Sequence, residues 1–173
     1  MAEEESELVK LAKEAIFNCI RYGRVISPPE NLPPEMGGRA GVFVSIKKGG
    51  RLRGCIGTIE PTQPNVAGEI IQNAISSSTK DPRFPRIGKE ELDDLSVSVD
   101  VLTSPERVWG VAQLDPKHYG VIVKKGDRRG LLLPDLEGVE SAAYQVEIAK
   151  RKAGIEPDEE GVELFRFEVK RYK

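Results

Sequence analysis

The sequence predicts an α+β fold, in which a mixed, largely antiparallel sheet is flanked by helices. Two pairs of apolar segments are each joined by a short glycine-containing turn, which is typical of β-hairpins. Other segments place apolar residues at helical spacing between those hairpins. Hairpins that alternate with separate helices favour α+β over a doubly wound parallel sheet.

The first predicted element is a helix, because the apolar residues between Leu8 and Ile20 fall on one helical face. Ser6 is a suitable N-cap, and Gly23 is a suitable stop. Cys19 lies in the apolar stripe, where we expect a buried thiol that packs like a small hydrophobic side chain.

The first predicted hairpin follows a loop. Residues 27–38 are rich in proline and glycine, so we expect a loop and no helix there. Residues 42–47 then read as a strand, Lys48-Gly49-Gly50 as a turn, and residues 51–59 as the returning strand.

The remaining elements follow the same logic. Pro64 opens a second helix, and two prolines stiffen a loop at 81–85. Alternating valines predict a strand at 96–103. Further segments complete the predicted fold: a helical turn at 89–95, a hairpin at 119–125 and 128–133, a helix at 139–153 ended by Gly154, and a strand at 165–169.

Length and charge set limits on function. At 173 residues the chain is expected to be a single domain over residues 1–173, with two sub-lobes and no independent second domain. A net charge of −2 argues against a surface made to grip nucleic acid, and no apolar run is long enough to span a membrane. The start of the chain does not resemble a secretory leader, so we expect a cytoplasmic protein without a disulfide.

The most informative segment is Leu52-Arg53-Gly54-Cys55-Ile56-Gly57. Two glycines inside a strand indicate a bulge or something that approaches the backbone closely. In a regular strand, Arg53 and Cys55 share one face and Ile56 lies on the other, whereas a bulge would change that assignment.

This segment resembles the signature of the AMMECR domain family. Four other segments agree with the resemblance, in the same order along the chain: Asp81-Pro82-Arg83-Phe84, His118 before Tyr119-Gly120-Val121, Gly130-Leu131-Leu132-Leu133-Pro134 and Lys152-Ala153-Gly154. The resemblance implies an α+β fold with a larger and a smaller lobe and a cleft between them. It also implies prokaryotic partners, a Memo-like protein and a radical-SAM protein, but no known reaction.

Cys55 is the leading candidate for chemistry. A thiolate near a cation is a good nucleophile, and Arg53 could supply the positive charge. Backbone N–H groups at Gly54 and Gly57 could hold an oxyanion. The alternatives are that Cys55 fills a tight strand position and that Arg53 pairs with a structural acid such as Asp100 or Asp81.

Three further residues are candidates for binding. Asp81 and Arg83 lie in the proline-stiffened loop, where they could orient and clamp an anion, or form an Asx-turn beside a surface arginine. His118 could act as the base for Cys55, or could be an ordinary surface histidine. No metal site or organic cofactor is expected from these residue types.

Three hypotheses for function remain open at this point. The first is a cytoplasmic enzyme, or enzyme component, that binds a small anionic metabolite at residues 52–57 and works with the Memo-like and radical-SAM partners. The second is a non-catalytic module that binds the Memo-like protein. The third is nucleic-acid binding through basic hairpins, which we consider the least favoured. The sequence does not indicate the oligomeric state.

Overall fold

The structure is a computed structural model that describes residues 3–173. Within that range the fold is α+β, as predicted, and it has two four-stranded sheets. In chain order the elements are α1 (Glu7–Tyr22), α2 (Pro34–Gly37), β1 (Val42–Lys48), β2 (Arg51–Thr58), α3 (Val66–Thr79), β3 (Leu95–Leu102), β4 (Glu106–Val108), β5 (Gly120–Lys125), β6 (Arg128–Leu132), α4 (Ala142–Ala153), β7 (Glu163–Phe167) and β8 (Val169–Tyr172). Short 3-10 turns occur at Lys89–Asp94 and Val111–Gln113.

The chain divides into two compact units. The first unit contains the residues up to Leu102 together with Lys170–Lys173, and the second unit contains Thr103–Val169. The sheet of the first unit has the strand order β2-β1-β3-β8, and the other sheet has the order β4-β7-β5-β6. Each unit has its own apolar core.

In the first unit, α1 and α3 cover one face of the sheet. The apolar face of α1 is buried, and Ser6 caps the helix by accepting the Val9 N–H at 3.2 Å. Gly23 ends α1 in the left-handed conformation, at φ 65°. On α3 the cap is Asn65, which accepts the Gly68 N–H, so the helix begins two residues after Pro64.

The second unit repeats the topology of the first. In each unit a hairpin is followed by a helix, and the next strand pairs antiparallel with the first strand of that hairpin. The hairpin β1–β2 with α3 and β3 therefore corresponds to β5–β6 with α4 and β7. Ile46 is opposite Gly54 in the first hairpin, and Val123 is opposite Gly130 in the second. These two pairs occupy corresponding positions in the two units.

Contacts between helix and sheet repeat as well. A Cβ added to Gly54 would overlap the carbonyl oxygen of Ser77 on α3, and one added to Gly130 would overlap that of Ala149 on α4. Four residues before each of those helical positions, a buried amide side chain donates to the hairpin. Asn73 Nδ2 donates to Val42 O at 3.0 Å, and Gln145 Nε2 donates to Tyr119 O at 2.9 Å. We conclude that the two units are versions of one ββαβ design.

Some predicted boundaries were wrong. Residues 27–38 contain the short helix α2, which begins at Pro34, where proline is tolerated because the first N–H groups of a helix have no partner. The closing strand is in fact two strands, β7 and β8, which belong to different sheets. The last helix begins at Ala142, after the N-cap Ser141, and not at Val139. Among residues 3–173 no helix is long and apolar enough to cross a membrane.

Candidate functional site

The signature segment lies on β2, at the edge of the first sheet. Cys55 is opposite Ser45, and Gly54 is opposite Ile46, but Leu52 is opposite Lys47. Arg53 is thus the extra residue of a β-bulge, a feature that re-aims side chains at sheet edges. The regular alternation that would align Arg53 with Cys55 is broken at this residue.

Both glycines of the segment are explained by packing. Gly54 lies against the backbone of α3 at Ser77, where no Cβ fits. Gly57 is opposite Phe43 on β1, and a Cβ at this position would overlap the Phe43 ring. The groups that approach the backbone closely at these two glycines are therefore parts of the protein itself, the α3 backbone and the Phe43 ring. Anion binding by the N–H groups of Gly54 and Gly57 stays a prediction.

Arg53 is held by a carboxylate. Its Nε donates to Glu91 Oε1 at 3.0 Å and its Nη2 donates to Glu91 Oε2 at 3.1 Å, while Nη1 donates to Pro85 O at 2.8 Å. Lys48 Nζ lies 3.2 Å from the same carboxylate. The bond from Arg53 is the main reason that the pKa of Glu91 is lowered to about 2. The acid that pairs with Arg53 is thus Glu91, and neither Asp100 nor Asp81.

The second unit contains the same ion-pair arrangement. Arg128, on the second strand of its hairpin, donates two bonds to Glu159, and Lys125 lies 3.7 Å from that carboxylate. Glu91 accepts the backbone N–H three residues before it, and Glu159 does the same. Because this arrangement recurs where the chain has no cysteine, it is best explained as part of the shared fold.

Cys55 lies on the sheet face opposite α3. Its Sγ is 3.3 Å from Ser45 Oγ, a neighbour that the sequence did not indicate. The thiol is half-buried, and both cysteines of the chain are free. Burial raises the pKa of the Cys55 thiol, and this effect outweighs the lowering by the Ser45 hydroxyl and by Arg83. Burial therefore disfavours the thiolate form of Cys55.

Asp81 and Arg83 are brought to Cys55 by the loop after α3. Asp81 Oδ2 accepts the Cys55 N–H at 2.9 Å, and Arg83 Nη2 donates to Cys55 O at 3.2 Å. These bonds satisfy the backbone of an edge strand at this position. The sequence had indicated all three residues, and the structure places them in one cluster.

The Asp81–Arg83 pair is asymmetric in its exposure. The Asp81 side chain is 2% exposed, whereas that of Arg83 is 56% exposed. Arg83 Nε donates to Oδ1 at 3.0 Å and Nη2 donates to Oδ2 at 2.8 Å, so the guanidinium is fixed by a fork of two bonds. These bonds are the largest cause that lowers the pKa of Asp81 to about 2. The result is a rigidly held, solvent-accessible cation beside the thiol.

His118 belongs to the second unit. Its Nε2 lies 3.0 Å from Glu168 Oε1, and both side chains are more than half exposed. The Tyr119 ring meets the imidazole edge-on, with centroids 4.5 Å apart. The pairing of His118 with Cys55 stays a prediction.

One further ion pair lies in the first unit and was not predicted. Asp100, opposite Phe43 on β3, accepts two bonds from Arg171, at 2.7 and 3.0 Å. Arg171 is far from Asp100 in sequence, so no local motif could have indicated the contact. Among residues 3–173 no cluster of three or more histidine, cysteine, aspartate or glutamate side chains could hold a metal ion.

Comparison with known proteins gives a consistent result. A family model described as AMMECR1 matches residues 9–172. A protein of Thermotoga maritima is 55% identical over 171 residues, which are 98% of each chain. A crystal structure of an uncharacterized protein from Pyrococcus horikoshii superposes with a TM-score of 0.88 at 36% identity, covering 95% of this chain and 88% of the other.

One relative is much longer than this chain. A protein of Clostridium acetobutylicum is 48% identical over 173 residues, which are 99% of this chain and 36% of that protein. The chain thus spans about a third of this relative.

Proposed function

The chain belongs to the AMMECR1 family, and we propose that it binds a small anionic ligand beside Cys55, with the Arg83 guanidinium as the charged contact. The observation that supports this most directly is the comparison of the two ββαβ units. Gly54 and Arg53 have counterparts in Gly130 and Arg128, with the same contacts. Those residues are accounted for by the fold.

Cys55 and its neighbours differ from the second unit. The residue that corresponds to Cys55, one position after Gly130, is Leu131. A leucine side chain is larger than that of cysteine, and Leu131 is buried whereas Cys55 is half-buried. Arg83, with its buried Asp81 support, therefore supplies a charge beside a small side chain at a position where the second unit has a large apolar one. Arginine held in a fork geometry is well suited to carboxylate and phosphate groups.

The state of Cys55 favours binding over covalent chemistry in the resting protein. A nucleophilic cysteine acts as a thiolate, and burial raises the pKa of this thiol. An enzymatic role would require a base to remove the proton, and His118 is the residue proposed for it from the sequence. We propose ligand binding as the primary function and catalysis as a step that needs a further component.

The test is a titration with inorganic phosphate, followed by ¹H–¹⁵N NMR at constant ionic strength with chloride as the reference anion. We expect the amides of Cys55 and Ile56 to shift, and Arg83→Gln to abolish the shifts. Arg86→Gln is the matched control, because Arg86 is an exposed arginine in the same loop. Equal losses in the two variants would mean general charge attraction and would rule out the site.

A second variant tests the space beside the thiol. Cys55→Leu installs the residue found in the second unit, and we expect a folded protein that no longer binds phosphate. Cys55→Ser keeps the space and should bind. If Cys55→Leu binds as well as the unchanged protein, the ligand does not lie beside Cys55.

We further propose that the chain works with other proteins, in line with the Memo-like and radical-SAM partners that the family resemblance implied. Support comes from the Clostridium acetobutylicum relative, in which this domain shares one polypeptide with a larger additional portion. Size-exclusion chromatography of the chain with a Memo-like protein and with a radical-SAM protein tests this. Separate elution of all components at micromolar concentrations would contradict it.

Nucleic-acid binding gains less support from the contacts. Lys48 pairs with Glu91, and Lys125 and Arg128 pair with Glu159. Carboxylates thus neutralise part of the charge at both hairpin ends, which weakens an electrostatic attraction to phosphate backbones.

A further inference from the structure

A cavity lies in the first unit, between α3 and the segment that follows α1. Its volume is about 470 Å³, within the range of about 300–1,000 Å³ typical of small-molecule sites. One wall is the segment that follows α1, and the other is the face of α3 from its N-cap to its C-cap. The cavity is separate from the Cys55 cluster, since Cys55 lies on the sheet face that points away from α3.

The centre of this cavity is aliphatic. Val25 and Ile26 line it from the segment after α1, and Ile71 and Ile75 line it from α3. Val25 is 73% exposed, so its apolar side chain is accessible to a ligand. The shape and lining fit a flexible hydrocarbon body.

The end of the cavity at the C-terminus of α3 is cationic. Lys80 lines it and is exposed, and no carboxylate among residues 3–173 lies within ion-pair distance of its ammonium group. Among the described residues that line the cavity, Lys80 is the only charged one. The unmatched charge is complementary to a ligand with an anionic head.

The opposite end of the cavity is polar and is fixed in place by a buried carboxylate. Glu69 is fully buried and has no cationic partner among residues 3–173. Its oxygens accept the N–H groups of Thr62 and Gln63 and the hydroxyls of Thr58 and Thr62. This holds the loop from which Gln63 reaches Gln72 on α3, and both glutamines line the cavity. The wall is thus formed before any ligand arrives, which lowers the entropic cost of binding.

We propose that this cavity, lined by α3 and the segment 25–28, binds an amphipathic carboxylate: an aliphatic chain over Ile71 and Ile75 with its carboxylate at Lys80. The site is independent of the proposed anion site at Cys55. The ligand class follows from an aliphatic centre that ends at one unmatched cation.

The experiment is an NMR titration of the whole chain with decanoate below its micellar concentration. We expect shifts in the amides of Ile71, Gln72, Ile75 and Lys80. Acetate, which has the charge without the chain, should leave those amides unchanged. Decyltrimethylammonium, which has the chain with the opposite charge, should bind several-fold more weakly than decanoate. If decyltrimethylammonium binds as well as decanoate, or if decanoate shifts none of them, the proposal is overturned.

Two variants locate the ligand. Val25→Glu should abolish binding without affecting folding, because this side chain is largely exposed; Val111→Glu, at another exposed valine, should have no effect. Lys80→Gln should weaken decanoate about threefold, as expected for one exposed ion pair, and Lys89→Gln should not. Unchanged binding in Val25→Glu would refute the site.

An apolar group with a carboxylate could belong to a fatty acid or to the C-terminus of a peptide. A tripeptide of leucine with a free carboxylate distinguishes the two. If the tripeptide binds and decanoate does not, the ligand is a peptide terminus and the proposal fails.

Discussion

Replacement of Asp81 by asparagine tests how the Cys55 cluster is held together. The side chain keeps its size and one acceptor oxygen for the Cys55 N–H, but it loses the charge and one of the two oxygens that accept bonds from Arg83. The substitution therefore changes the charge of the side chain at position 81 but not its shape. The variant isolates the electrostatic part of the contact.

The magnitude follows from the pKa. The pKa of Asp81 is lowered from 3.8 to about 2, chiefly by the Arg83 side chain and in smaller part by the N–H groups of Cys55 and Arg83, and each pKa unit corresponds to about 1.4 kcal/mol. Because the folded-state pKa is the lower one, the stabilisation is complete above the unfolded value and is lost as the pH falls through about 2. Arg83 is more than half exposed, and solvent screens the pair, so we expect about 1–2 kcal/mol near neutral pH.

The assay is urea unfolding of both proteins at a series of pH values from 7 down to 2. We expect the difference in unfolding free energy to be constant near neutral pH and to shrink toward zero in the acid range. Other acidic groups titrate in both proteins and cancel in the difference. Asp94→Asn, at an exposed aspartate of the same unit, is the control and should show no such change.

Two outcomes would refute the reasoning. A difference that stays constant down to pH 2 would mean that the asparagine disturbs packing and that the charge contributes nothing. No difference at pH 7 would mean that Asp81 holds Cys55 and Arg83 by geometry alone.

The remaining predictions concern the glycines and the thiol. Gly54→Ala and Gly130→Ala should each destabilise the protein by about 1–3 kcal/mol, because each places a Cβ against a helix carbonyl. Thermal melts of the two variants measure this. Destabilisation by Gly54→Ala alone would contradict the equivalence of the two glycines. Cys55 should react with iodoacetamide with an apparent pKa above the ordinary value of about 8.5, because burial raises the pKa of the thiol. Arg83→Gln should raise this pKa further, because the charge of Arg83 lowers it. Peptide mass spectrometry measures this with buried Cys19 as the monitor of unfolding, and an apparent pKa below 8.5 would contradict it.

The sequence was sufficient for the elements with local signals. The apolar stripe of α1 with Ser6 and Gly23, and the turn at Gly49-Gly50, identified a helix and a hairpin directly. The strands β4 and β8 were missed because they are short and have weak alternation. Whether they pair depends on distant partners such as β7, which a local pattern does not contain.

The candidate site was predicted in part for the same reason. Cys55, Asp81 and Arg83 stood out by their residue types and their loop, and the structure unites them. Ser45 and Glu91 did not stand out, because each is an ordinary residue that matters only through the register of β1 and the bulge at Arg53. Ser45 and Glu91 could be identified only once the pairing of β1 with β2 was known.

The repeat of the two units explains why a signature can mix structural and functional residues. Equivalent contacts are made by different amino acids, such as Asn73 and Gln145, and the bulge shifts Arg53 by one position relative to Arg128, so the sequence alone shows no repeat. Once the units are aligned, the second serves as an internal reference for the first. What recurs there is explained by the ββαβ fold. The first unit differs in having a half-buried thiol beside a guanidinium fixed by Asp81, at a position where the second unit has the buried Leu131.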